Sequence, residues 1–411
     1  MKLTRTILEE MAHVGKWQKE FFDMLIQTML SIPNQVNFSS LSRYSGVPEK
    51  RFRRWFKKAF DFCTFNSKSI SQVIKPGNEL VAALDQSFID KSGKATWGRA
   101  TFWNGCESKA EKGLEISLFA LIDIATNTAF SLFAEQTPPD DEIQSQMKSS
   151  NIPNPSRIDF YLSLFGKMRD IVLKYTLYFV FDGYFTKKKF IDGVAEMGFY
   201  VVGKLRRDAD LKILYNGAQK KGRGRPRQFV GKCNVNELER FDFDQEVDDN
   251  TKLYSGFFWH VSLERNIKVV AVVKEENGKR GIALLFSTDL ELETLKLYQY
   301  YKARYQIEFI FRDANQHTGL GSCQSRNKES LHFHFNASFV ALNLVKIQEL
   351  CEVDSNEKNH AFSMASHKAR YYNENLIGRF FPRLGFDLTS IKSMPIYQEI
   401  INYGAIRSRG V

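Results

Sequence analysis

The sequence predicts an α/β protein in which a sheet-containing core lies between two helical regions. Three observations lead there. Residues 3 to about 32 place Ile7, Met11, Val14, Phe21, Met24, Leu25 and Met29 at mixed three- and four-residue spacing, the period of an amphipathic helix. After Pro76-Gly77-Asn78 the pattern changes to short continuous apolar runs, Leu80-Val81-Ala82-Ala83-Leu84 and Tyr178-Phe179-Val180-Phe181, which read as buried strands. Helical spacing then returns at residues 290–316 as one long helix and again at 331–350.

The elements follow in order. Residues 40–44 and 48–60 read as two short helices joined through Ser45 and Gly46, with Pro48 in the first-turn position that helices favour. Residues 115–123 and 128–135 flank Ala125-Thr126-Asn127 and predict an antiparallel hairpin. Four prolines fall within residues 137–155, which read as a loop. Residues 156–174 predict an amphipathic helix, 186–197 another, and 199–202 a strand. Residues 205 to about 280 are polar and basic at first, then carry short strands at 257–263 and 268–274, so this stretch reads as a β-rich insertion. A core-like strand at 282–287 follows. The expected organisation is a helical segment over 1–78, a sheet-containing domain over 79–350 and a helical region over 351–411.

Composition narrows the function. The chain has 411 residues, with 58 Lys and Arg against 47 Asp and Glu, a net charge of +11. Residues 1–78 hold 13 of the basic and 6 of the acidic side chains, and so carry +7 of that excess. A polyanionic partner fits this balance. No stretch reaches 18 consecutive uncharged apolar residues, which argues against a membrane span. Glu9 and Glu10 fall where a signal peptide needs its apolar run. Cys63, Cys106, Cys233, Cys323 and Cys351 show neither paired nor zinc-ribbon spacing, so they read as reduced thiols of a cytoplasmic protein. His332 and His334 sit two residues apart, on different faces of a helix, which disfavours a shared zinc ion.

The strand order before the insertion is three antiparallel strands, a helix, a strand, a helix and a strand. That order matches a ribonuclease H-like core, in which one carboxylate sits on the first strand, one just after the fourth, and one on a later helix. Asp85, Asp182 and Glu308 occupy those positions. Asp85 and Asp182 each end an apolar run, where a desolvated carboxylate needs a partner. Hard divalent ions take oxygen ligands, and two of them activate an attacking oxygen and stabilise a leaving one in phosphoryl displacement. Tyr301, Arg304 and Glu308 stand at i, i+3 and i+7, on one face of the expected long helix.

The run Tyr-Lys-Ala-Arg-Tyr-Gln-Ile-Glu over residues 301–308 resembles the Tyr-x2-Arg-x3-Glu signature of DDE transposases of bacterial insertion sequences. Asp85-Gln86-Ser87, Asp182-Gly183-Tyr184-Phe185, Ser287-Thr288-Asp289-Leu290 and Gly319-Leu320-Gly321 are similar to further motifs of that family. The resemblance covers residues 80 to about 350. It implies an enzyme that cleaves DNA at element ends and joins them to target DNA, with Asp85, Asp182 and Glu308 holding two magnesium ions (manganese able to substitute). It implies that Tyr301 and Arg304 grip the DNA backbone, and that two copies pair two ends. The family carries a lysine seven residues after the glutamate. Here Asn315 stands in that position, and Arg312 or Lys328 is available to take its phosphate contact.

Two basic segments complete the reading. Residues 38–60 read as helix-turn-helix-like, with Phe52, Trp55, Phe56 and Phe60 forming an apolar stripe and Lys50, Arg51, Arg53, Arg54, Lys57 and Lys58 available for DNA. In residues 220–227, Arg223, Arg225 and Arg227 lie in an Arg-Gly-Arg-Pro context suited to phosphate or minor-groove contact. Trp259 reads either as a core residue or as a base-stacking one. A regulator without catalysis and a nuclease that cuts without joining remain the alternatives to a transposase.

Overall fold

The structure, a computed structural model, describes residues 1–148, 152–219, 225–276, 278–352 and 362–406. It begins with five helices: α1 (Lys2–Glu9), α2 (Lys16–Ser31), α3 (Phe38–Ser45), α4 (Glu49–Trp55) and α5 (Phe62–Ile70). The single helix expected over 3–32 is therefore two. Residues 10–15 turn out of the helix, and Gly15 restarts it with an extended backbone, ψ 151°. Asn37 caps α3, its Oδ1 accepting from the Ser40 N–H at 2.9 Å, and Gly46 ends that helix at φ 75°, in the left-handed region that favours glycine.

The next segment holds β1 (Leu80–Asp90), β2 (Ala100–Asn104), β3 (Lys109–Asp123) and β4 (Thr128–Gln136), then α6 (Asp140–Met147) and α7 (Arg157–Val172). The stretch 137–155, read as a loop, thus contains a helix. Pro139 sits at its N-cap, and Asp140, Asp141 and Glu142 fill its first turn, where the helix dipole favours acids. After these come β5 (Tyr178–Val180), α8 (Lys188–Glu196), β6 (Tyr200–Lys204), β7 (Leu211–Leu214), β8 (Phe229–Lys232), β9 (Asp242–Asp248), β10 (Thr251–His260), β11 (Arg265–Glu276) and β12 (Lys279–Ser287). Helices α9 (Thr294–Ala303), α10 (Gln306–Asp313), α11 (Lys328–Glu352), α12 (Met364–Arg383), α13 (Leu388–Lys392) and α14 (Pro395–Ile401) complete the chain.

Among the described residues the strands form one sheet, ordered β2-β3-β1-β5-β6-β12-β11-β10-β7-β8, with β4 also on β3 and β9 on β10. Strands β4-β3-β1-β5-β6 are the ribonuclease H-like core expected from the sequence, with β1, β5 and β6 parallel. The insertion's strands extend the same sheet, because β12 pairs antiparallel with β6.

Alternation along β1 divides the interior. Val81 and Ala83 enter the buried cluster shared with α1–α5 and α9–α11, while Ala82 and Leu84 enter the cluster under α7 and α8. Composition changes at residue 78, but the core crosses that point. Phe333 of α11 lies 4.6 Å from Phe56 and 5.2 Å from Phe62 between ring centroids, joining the N-terminal helices to the sheet.

The outer edge of β4 is covered by α11. Asn343 accepts from the Ser131 N–H at 2.9 Å and donates to the Ser131 carbonyl at 2.6 Å. Asn336 treats Ala134 the same way, at 2.9 and 2.8 Å. A register shift places Ala120 opposite Ser131 while Phe119 stays opposite Phe133. That bulge lets two residues three apart both face outward, and the asparagines stand two helical turns apart to meet them.

Candidate active site

Asp85 and Asp182 meet because β1 and β5 run parallel. Ala83 pairs with Val180, and both enter the cluster below α10 and α11. Two residues further along each chain, Asp85 and Asp182 follow on the same face, beyond the last paired residues of the two strands. Asp182 caps a 3-10 turn over Gly183–Phe185, its Oδ1 accepting from the Tyr184 N–H at 3.0 Å. Asp85 Oδ1 accepts from the Gln86 N–H at 2.9 Å.

Glu308 arrives from α10, and here the structure corrects the expected single helix over 290–316. The helix breaks at Arg304 and Tyr305. Arg304 N bonds Tyr301 O, Tyr305 N bonds Lys302 O, Ile307 N bonds Arg304 O and Glu308 N bonds Tyr305 O, all at i to i+3 spacing. This tighter winding separates the faces of the three signature residues. Tyr301 is buried at 8% exposure, whereas the Glu308 side chain is 51% exposed. Arg304 joins them electrostatically instead. Its Nη1 donates to Asp85 Oδ2 at 3.1 Å and its Nη2 to Glu308 Oε1 at 2.9 Å. Its Nε is buried without a hydrogen-bond partner.

The electrostatics describe a site short of positive charge. Burial pushes the Asp85 carboxyl up to about 7; Arg304 pulls it down, and Asp182 and Glu308 push it up. Burial likewise raises Asp182, against Arg304, the N–H groups of Tyr184 and Phe185, and Lys187. Carboxylates crowded in this way stabilise an added cation. Burial also holds the Tyr301 hydroxyl up at about 12. The Tyr301 ring lies 5.9 Å from the Arg304 guanidinium and backs it from the core side.

Residues 161–344 match the family model of the transposase DDE domain. That stretch is similar to a DDE-type transposase domain. The match begins in α7 and ends in α11, so it contains Asp182, Arg304 and Glu308 and leaves Asp85 and the N-terminal helices outside. Comparison with curated proteins finds no relative. DDE-domain enzymes generally use divalent metals. The three acids fit such an ion in chemistry, being oxygen donors with unsatisfied negative charge. Among the described residues no three acidic, histidine or cysteine side chains are arranged to hold a metal, and Arg304 stands between Asp85 and Glu308.

The other sequence-chosen residues scatter around this centre. Arg312 lies one turn beyond Glu308, exposed, its guanidinium 2.9 Å from Asp313 and 4.7 Å from the Phe309 ring. The Lys328 ammonium lies over Trp97 at 4.6 Å. Asn315 lies in a π-turn over Ala314–Thr318.

On α4 and just after it, Lys50, Arg53, Arg54, Lys57 and Lys58 are exposed and Arg51 is half-buried. Arg53 pairs with Glu49, and Lys58 stacks 5.0 Å from Trp55. Phe52 and Phe56 are fully buried, as the apolar stripe requires. In the second patch Arg223 lies outside the described residues. Arg225 bonds Gln228 at 3.0 Å, and Arg227 stacks on Tyr215 at 4.9 Å and bonds the Phe229 carbonyl at 3.0 Å.

Trp259 is set apart by register. Ala83, Val180, Val202, Ser287, Lys268 and Phe257 form one cross-strand row. Asp85 lies two residues to one side of that row and Trp259 two to the other, roughly 13 Å apart along the strands. Trp259 packs 5.8 Å from Phe229. Sequence reading missed Lys187, which lies 3.9 Å over the Tyr184 ring beside Asp182. Its closeness to the Asp182 motif was the only signal.

Proposed function

We propose that this protein is a DNA transposase that binds insertion-sequence ends, cleaves them by metal-dependent hydrolysis and joins them to target DNA by transesterification. One observation carries the reading. Asp85 and Glu308, 223 positions apart in the chain, meet on a single buried guanidinium next to Asp182.

Asp85, Asp182 and Glu308 would hold two magnesium ions, with manganese able to replace them; bound there, the ions would polarise the scissile phosphate and lower the pKa of the attacking hydroxyl. Arg304 has a planar fork suited to a phosphate and an unpartnered Nε, so it is the group that grips the DNA backbone at the cut. Tyr301 sets the position of Arg304 from below, and Arg312 continues the basic track along α10. Lys50, Arg51, Arg53, Arg54, Lys57 and Lys58 offer the surface for the double-stranded ends, with Arg225 and Arg227 adding phosphate contacts. Two copies pairing two ends complete the proposed reaction.

The test is to incubate the protein with labelled candidate ends, a target plasmid and magnesium. Joined products that disappear with Asp85→Asn or Glu308→Gln support the proposal. Cleavage without joining points to a nuclease, and binding without cleavage to a regulator.

A further inference from the structure

A second basic site adjoins the carboxylates. Strands β5 and β6 are parallel, and Val180 pairs with Val202. Two residues beyond that pair come Asp182 on one strand and Lys204 on the other. Val180 and Val202 both face the Asp85 side of the sheet, so alternation sends Lys204 toward that side as well.

Past Lys204 the chain reads Leu205-Arg206-Arg207-Asp208, and these residues with Gly183 line a cleft of about 500 Å³. Leu205 anchors its floor, 3% exposed, its N–H on the Leu284 carbonyl at 2.8 Å. The Thr186 hydroxyl fixes one wall by donating to the Lys204 carbonyl at 3.1 Å. Arg206 is neutralised in a two-pronged pair with Asp208, 2.9 Å for each prong. Lys204 and Arg207 are exposed and have no acidic partner among the described residues. The cleft therefore carries two uncompensated positive charges immediately beside a catalytic carboxylate. Parallel strands place ligands outside their carboxyl ends, and this cleft opens at that end of β6.

We propose that the Gly183–Lys204–Arg207 cleft binds a backbone phosphate of the DNA strand next to the one being cut, with Lys204 and Arg207 as its ligands. The proposal rests on the reading of the carboxylates as a DNA-cutting centre. A phosphate so held would fix the strand on the Asp182 side, as Arg304 fixes it between Asp85 and Glu308. The phosphate belongs either to the element strand or to captured target DNA, and the chemistry is the same in both.

The experiment compares the full chain with the Lys204→Ala/Arg207→Ala double variant and with Arg207→Lys. Both positions are exposed, so folding is expected to persist; circular dichroism checks it. Binding of a labelled duplex is measured across salt concentrations, together with phosphate-ethylation interference. The expected result is a salt slope shallower by about one to two for the double variant, and an interference signal at one phosphate that it loses and Arg207→Lys retains. An unchanged slope and an unchanged interference pattern overturn the proposal.

Separate arms identify the source. Loss of cleavage on an intact end assigns the phosphate to the element strand. Loss of joining alone, with a pre-cut end and a plasmid, assigns it to target DNA. Should the unaltered protein cut no DNA yet show the Arg207-dependent signal, the catalytic reading fails and the phosphate site stands. If it cuts and the signal is absent, the site fails alone.

Discussion

Arg304 and Asp85 form a buried ion pair, Nη1 to Oδ2 at 3.1 Å, with the two side chains 7% and 16% exposed. Since the same guanidinium also reaches Glu308, it supplies the positive charge that the carboxylates share in this state. On the proposed function, a cation entering between them would compete with Arg304, and a DNA phosphate that drew Arg304 away would favour the cation. On that same reading, DNA and metal binding would thereby be coupled.

Replacing Arg304 with Gln is accordingly expected to tighten manganese binding without DNA by roughly tenfold, a difference of about 1.4 kcal/mol. Calorimetric titration of the DNA-free protein measures this. Equal or weaker affinity in the variant contradicts the role of Arg304 as counter-ion.

The basic surface of α4 makes a separate prediction. Arg51→Ala with Arg54→Ala should weaken binding to transposon-end DNA and reduce the salt slope by about one to two. Phe52 and Phe56 hold the helix from its buried side, so the substitutions should leave the melting temperature nearly unchanged. An unaltered slope would remove this helix from the DNA interface.

Asn343 bonds both backbone groups of Ser131 and also donates to Asn66 Oδ1 at 3.0 Å. Asn343→Ala strands buried donors and acceptors on the β4 edge, each costing about 1–3 kcal/mol. A total loss of roughly 2–4 kcal/mol is expected by denaturant titration, whereas truncating the exposed Glu329 should change little.

Lys368 ties α12 to α2 by donating to the Met29 carbonyl at 2.8 Å, one of the carbonyls that the end of α2 leaves unpaired. Burial pushes the Lys368 amine down to about 7. Between that value and the ordinary lysine range the unfolded chain binds a proton that the folded chain does not. Stability from this group therefore rises with pH across that window and is lowest below it. Relative to Lys368→Met, the unaltered protein should gain about 2 kcal/mol from pH 7 to pH 9. Parallel changes in the two proteins would show that Lys368 stays charged when folded.

Local pattern made much of this legible. The apolar runs before Asp85 and Asp182 marked buried strands, and the strand order gave the core topology, because alternation and turn residues act over a few positions. The stripe of Phe52, Trp55, Phe56 and Phe60, along and just after α4, was visible for the same reason. The break at Arg304–Tyr305 was not, since nothing in Tyr-Lys-Ala-Arg-Tyr-Gln-Ile-Glu departs from helical composition. Packing of Tyr301 into the core and pairing of Arg304 with Asp85 tighten that turn, and both depend on residues far away in the chain.

By itself the sequence determined the buried strands that lead to Asp85 and Asp182 and the concentration of basic charge in the first 78 residues. Only the tertiary structure decided that one guanidinium stands between Asp85 and Glu308, that α11 seals the β4 edge with two asparagines, and that Lys204 and Arg207 line a cleft with Gly183. The physical reason is range. Propensity and periodicity are set by neighbours in the chain, whereas ion pairs and sheet register join residues whose separation the chain does not encode locally.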